Sequence, residues 1–138
     1  MKTILSFISV VILLCAIASC KKSQDPMNKP SIAFKTGAGY TSSDTTVSAG
    51  DTVLVGITAS KAATETQDVL KTFNVSESIN GGAETTIYTH ALTGTEGDSF
   101  DIDLNIVTAT AGTTEKYTFT VVNRDGLINS VSLTLTVN

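Results

Sequence analysis

From Ser31 to Asn138 the apolar residues fall on every second position rather than on every third or fourth. That period of two belongs to strands with one face against a core and one face in water. Ile32 and Phe34 begin it. Val53, Val55, Ile57 and Ala59 continue it, as do Phe73, Val75 and Ile79, with Glu77 as the exception. Phe100, Ile102, Leu104 and Ile106 alternate with Asp101, Asp103 and Asn105. Tyr117, Phe119 and Val121 follow, then Val131, Leu133, Leu135 and Val137. Thr85 to Ala91 is a weaker run of the same kind. Between the runs stand turn sequences: Ser48-Ala49-Gly50-Asp51, Asn80-Gly81-Gly82, Thr93 to Asp98, and Asn123-Arg124-Asp125-Gly126. Lys61 to Leu70 is the best helical stretch, and it is short for a helix. About seven strands over residues 31–138 predict an all-β, two-sheet antiparallel sandwich. A closed barrel would need more even strand spacing.

Composition removes several function classes. Nine Lys and Arg against thirteen Asp and Glu give a net charge of −4, so nucleic acid has no basic patch to meet. One His, two Cys and no Trp leave little for a zinc site, a disulfide framework or a histidine-dependent triad. No cofactor is expected.

The first nineteen residues read as an address. Met1-Lys2 is a short positive start, and an apolar run follows from Ile4 to Ile17. That run is shorter than the roughly 18–20 residues of a spanning helix, and it ends in small residues. Ile17-Ala18-Ser19-Cys20 resembles the lipobox of bacterial lipoproteins, in which the Cys becomes the lipidated first residue of the mature chain. The resemblance implies a signal peptide over 1–19, lipidation at Cys20, and loss of Cys15 with the signal. No disulfide is then possible in the mature chain. Residues 20–30 comprise the lipidated Cys and a polar linker holding both prolines, Pro26 and Pro30. Residues 31–138 form the folded domain. The linker is short, so the domain sits close to its membrane. Lys21-Lys22 beside the anchor is not the acidic surface-export signal described for Bacteroidota. The expected location is the outer membrane, with the leaflet open.

Gly112 to Gly126 followed by Ser130 to Val137 resembles the last hairpin of immunoglobulin-like domains, closest to the PKD-like and cadherin-like modules of bacterial surface proteins. The resemblance implies that Tyr117 is a tyrosine-corner residue whose hydroxyl bonds upstream backbone. It also implies that Asp125-Gly126 forms the turn into the last strand. The whole chain is similar to small single-domain lipoproteins of the Bacteroidota.

Candidate chemistry is sparse. His90 shares a strand face with Tyr88, but no nucleophile accompanies it, and a surface histidine is the plainer reading. Asp98, Asp101 and Asp103 are the densest acidic group. They are weak calcium candidates, set against a solvated strand face that resists aggregation. Tyr40, Tyr88 and the Asn80-Gly81-Gly82 loop could together offer a carbohydrate platform. Asp44-Thr45-Thr46 and Asp51-Thr52-Val53 resemble Bacteroidota O-glycosylation acceptors. Gly37-Ala38-Gly39-Tyr40 lacks the rest of a phosphate loop.

The function these features predict is non-catalytic. The chain reads as a lipid-anchored envelope protein that binds an envelope protein or glycan through loops of its sandwich. The alternative is a structural or accessory subunit of an outer-membrane complex that packs by strand addition at an edge.

Overall fold

In the computed structural model, residues 28–63 and 67–138 are described. The alternating runs become strands in chain order: β1 (Ser31–Phe34), β2 (Thr45–Val47), β3 (Thr52–Ser60), β4 (Leu70–Ile79), β5 (Thr85–Ala91), β6 (Ser99–Val107), β7 (Thr114–Asn123) and β8 (Ile128–Val137). A one-turn 3-10 segment, Gly94–Gly97, separates β5 from β6. The small sheet has the order β1-β3-β6, and the large sheet β2-β8-β7-β4-β5. Two facing sheets with a Greek-key chain path make this an immunoglobulin-like β-sandwich.

The described residues hold eight strands where about seven were expected. The first edge strand is split. β1 pairs antiparallel with β3 in the small sheet. The chain then crosses to the large sheet, where β2 pairs parallel with β8. No helix forms at residues 61–63 or 67–70. The stretch is too short to pay its nucleation cost alone, and both its ends are committed to strands.

The inward parity follows the sequence closely. Val55, Ile57, Phe73, Phe119, Val121 and Leu135 are fully buried, each contributing about 1.5–3 kcal/mol through burial. Phe34 meets Phe119 edge-on across the sheets at 5.6 Å, and Phe73 meets Phe100 at 5.2 Å. At the end of β4 the expectation fails. Ile79 is 43% exposed, because it lies at the strand end beside the Asn80-Gly81 turn. There Asn80 and Gly81 have φ of 52° and 71°, and Gly82 N–H bonds Ile79 carbonyl at 2.9 Å. Two successive positive φ values define a primed hairpin turn, which Asn-Gly adopts at least cost.

The two sheets differ in width. β6 lies over β4, as the Phe73–Phe100 contact shows. The small sheet has no strand beyond β6 to lie over β5. Ile102, Leu104 and Ile106, on the inner face of β6, are consequently only partly buried. Tyr88 on β5 is 38% exposed. Among the described residues, the sandwich is thus open along one side, between the edges of β5 and β6.

Candidate functional site

The first cluster sits on the outer face of the small sheet. Lys35 N–H bonds Gly56 carbonyl, and Thr41 N–H bonds Leu54 carbonyl, both at 2.8 Å. The chain after β1 therefore stays alongside β3, with the Lys35 and Tyr40 side chains lying over Gly56. Gly56 makes that possible. A Cβ there would stand 2.6 Å from Lys35 Cδ and 2.7 Å from Tyr40 Cε1. Lys35 Nζ donates to Asp101 Oδ1 at 2.5 Å and to Asp103 Oδ1 at 2.7 Å. Tyr40 hydroxyl donates to Asp103 Oδ2 at 3.0 Å, and Lys35 Nζ lies 5.7 Å from the Tyr40 ring centroid. The hydrogen bonds to Asp101 and then Asp103 hold the Lys35 ammonium well above its ordinary value. The hydrogen bond from Lys35 holds the Asp103 carboxyl below the usual carboxylate range. Tyr40 is raised by its bond to Asp103.

This arrangement bears on the acidic group. Asp98 pairs with Lys61 at 2.6 Å, while Asp101 and Asp103 share Lys35. Calcium needs several oxygens converging on one point. Here an ammonium occupies the point where two carboxylates meet, and the third turns elsewhere. The cluster is a cross-strand tie on a partly solvated face. Replacing Lys35 with methionine is expected to move the Asp103 titration upward in pH, followed through its carboxyl carbon shift by NMR. An unmoved midpoint would refute the tie.

The carbohydrate platform does not assemble. Tyr40 lies on the outside of the small sheet, bridged to Leu54, with Lys35 near its ring. Tyr88 belongs to the large sheet and packs against Phe73 at 6.3 Å. The Asn80-Gly81-Gly82 loop spends its polar groups internally. Asn80 Oδ1 accepts Thr114 N–H at 2.8 Å, and Ser78 hydroxyl donates to Gly82 carbonyl at 2.7 Å. Asp51 accepts Ser48 N–H within its turn, and Asp44 accepts Thr134 N–H of β8 from 90 positions away.

His90 is half-buried rather than a simple surface residue. Its ring stacks on Phe100 at 5.5 Å with 22° between planes. Its Nε2 lies 3.2 Å from Glu96 Oε1. Glu96 also caps the 3-10 turn by accepting Thr93 N–H, and its carboxyl is lowered chiefly by the histidine bond. The single imidazole fastens the β5–β6 connection.

Tyr117 departs from what the immunoglobulin resemblance implies. Its hydroxyl meets carboxylates, not upstream backbone: Glu77 Oε1 at 2.8 Å and Glu115 Oε2 at 2.9 Å. The register explains this. Glu77 is directly opposite Tyr117, and Glu115, two residues before it, shares its face. Glu115 is fully buried. Its Oε1 accepts Ala109 N–H at 2.8 Å and lies 3.4 Å from Thr113 hydroxyl. Burial first, then the two carboxylate bonds, pushes the Tyr117 hydroxyl far above its ordinary value.

The Asp125-Gly126 turn forms as expected, with Gly126 at φ 80°. Asn123, the first residue of that turn sequence, organises it through its side chain. Its Oδ1 accepts Leu127 N–H at 2.7 Å, and its Nδ2 donates to buried Asp68 Oδ2 at 2.5 Å. Cys20 lies outside the described residues, as do the expected signal peptide over 1–19 and most of the expected linker.

No family model matches the chain, and no curated protein is similar to it. Among solved structures, it is similar to Spo0M, a sporulation control protein from Bacillus subtilis. The identity is 9% and the TM-score 0.45, covering 80% of this chain and 49% of that one. The chain thus spans about half the length of Spo0M. It is also similar to the CARDB domain of the PF1109 protein from Pyrococcus furiosus, solved in complex with di-metal ions. There the identity is 13% and the TM-score 0.42, covering 84% of this chain and 97% of that one.

Proposed function

We propose that this chain is a non-catalytic interaction module, tethered by lipid at Cys20 to a bacterial outer membrane, of the kind found among small single-domain Bacteroidota lipoproteins. The observation that carries the interaction role is the open side of the sandwich. Ile102, Leu104 and Ile106 belong to the inward parity of β6 yet remain partly exposed, and apolar surface left between two sheet edges is a place for another chain. The Asn80 and Glu96 side chains of the neighbouring loops are already bonded within the domain, so the edge supports contact better than those loops do. The alternative, a structural subunit of an envelope complex, uses the same side with a permanent occupant.

The tether and the contact are tested together on the intact lipoprotein. Intact-mass measurement is expected to show acyl chains on Cys20, and Cys20→Ser should move the protein to the soluble fraction. Affinity purification from solubilised membranes should then recover a protein at a fixed ratio. A bare Cys20 in the exported product refutes the tether. A partner-free preparation with turnover of a small substrate refutes the interaction reading.

A further inference from the structure

The open side can be read for what would fill it. β6 pairs with β3 over its whole length without a bulge. Lys61 N–H bonds Asp98 carbonyl at one end, and Thr108 N–H bonds Asp51 carbonyl at the other. In an antiparallel ladder each residue turns its N–H and C=O to one side, and the side alternates. The even-numbered residues Phe100, Ile102, Leu104 and Ile106 therefore face β3. The N–H and C=O groups of Asp101, Asp103, Asn105 and Val107 point away from it, and no described strand meets them. The side chains alternate as well. Asp101, Asp103 and Asn105 are exposed on the outer face, and the three aliphatics are partly covered on the inner one.

We propose that β6 accepts an extended segment of a second protein, in which apolar residues alternate with lysine or arginine. This rests on the interaction reading above. Such a segment would bond the outward backbone groups, as strand addition does. Its apolar side chains would enter between the sheets beside Ile102, Leu104, Ile106 and Tyr88. Its other side chains would lie beside Asp101 and Asp103. One lysine serves those two carboxylates, so the outer face keeps an unbalanced negative charge that favours a cationic neighbour.

The competing occupants fit less well. A second copy pairing antiparallel through β6 would set Asp101 and Asp103 opposite the same acids, or opposite Asn105, and like charges opposite one another destabilise a sheet. The other long edge, β5, carries a bulge: successive β4 residues Val75 and Ser76 pair with Tyr88 and Thr86, leaving Ile87 without an opposite residue. A bulge interrupts the regular row of groups that a new strand needs. The apolar side chains of the chain's own residues 21–27 are the adjacent Pro26 and Met27, which cannot supply an alternating apolar face.

The probe is a short capped peptide alternating lysine and valine, titrated into the intact protein with amide shifts and hydrogen exchange followed by NMR. The expected result is protection of the Asp101, Asp103, Asn105 and Val107 amides. Affinity should be at least about tenfold weaker for the glutamate-valine peptide and for the same residues in blocked order. Asn105→Pro removes an N–H that the fold does not use, which an edge strand tolerates. It should keep the unfolding midpoint and weaken the lysine peptide by a similar factor. Val107→Pro, near the strand end, is the second variant if Asn105→Pro folds poorly. Equal affinity for all three peptides, or shifts confined to other strands, would overturn the proposal. Membrane-partner recovery undiminished by these variants would also overturn it, while leaving the interaction module standing.

Discussion

Tyr117→Phe, which deletes one oxygen, is expected to lower stability by roughly 2–4 kcal/mol, well beyond the usual value of a single hydrogen bond. The phenol stands between two carboxylates, 2.8 Å from Glu77 and 2.9 Å from Glu115. It has one proton to give, so the acids share it. Without it, the buried Glu115 Oε2 loses its donor and the two acids face each other across an apolar ring edge. Hydrogen bonds to charged groups contribute about 1.5–3 kcal/mol, and leaving a buried acceptor unpaired adds desolvation on top. The pH dependence has a definite sign. The folded-state hydroxyl is raised above its ordinary 10.0. Below about pH 10 the phenol keeps its proton in both states, and its contribution is complete. Above that, the unfolded chain ionises first and stability falls, by up to about 1.4 kcal/mol per pH unit. Denaturant unfolding at several alkaline pH values should show this decline reduced in Tyr117→Phe. A variant of unchanged stability with the same alkaline slope would refute the network.

Gly56→Val is expected to cost about 2–3 kcal/mol, although valine suits a strand better than glycine does. In β3 the outward side at Gly56 is occupied by the Lys35 stem and the Tyr40 ring. A new Cβ would lie 2.8 Å from Lys35 Cβ, close to the backbone, so the lysine cannot swing clear by its far end alone. The segment that runs beside β3 must shift to clear it. The second signature is electrostatic: with Lys35 displaced, the Asp103 carboxyl should return toward the ordinary carboxylate range. Thermal unfolding and an NMR titration of the one sample read both effects. A fully stable variant with Asp103 still depressed would show that Lys35 and Tyr40 are not packed over Gly56 as described.

The strands were legible because one face of each is greasy and one is not. Thr85 to Ala91 was weak as a pattern yet has the bounds of β5. The division between sheets was not legible, since alternation says which side a residue faces and nothing about which strand lies beside it. The split of the first strand, the parallel β2–β8 pair and the vacancy beyond β6 all arise at that level. The polar interior left a trace that was only half read. Glu77 breaks the apolar parity of β4, and Glu115 holds the parity of Tyr117, Phe119 and Val121. Two acids on inward positions of neighbouring strands point to a shared buried donor. Lys35 lies just past β1, outside any alternating run, and only the fold brings it to Asp101 and Asp103, 66 and 68 positions away. Gly56 looked like an ordinary strand glycine because its reason for being small lies in another segment.

The crossover that gives β2 to the large sheet also decides how the domain bears load. Thr45–Val47 runs alongside Leu135–Val137 in the same direction, and Asn138 N–H bonds Val47 carbonyl while Ala49 N–H bonds Asn138 carbonyl. A pull that draws the front of the domain one way and its tail the other runs along this seam lengthwise. The bonds across it then stretch together as in a lap joint, instead of opening one after another as in a zip. A module fastened at its front end could therefore hold against tension with a contact of only three residues on β2.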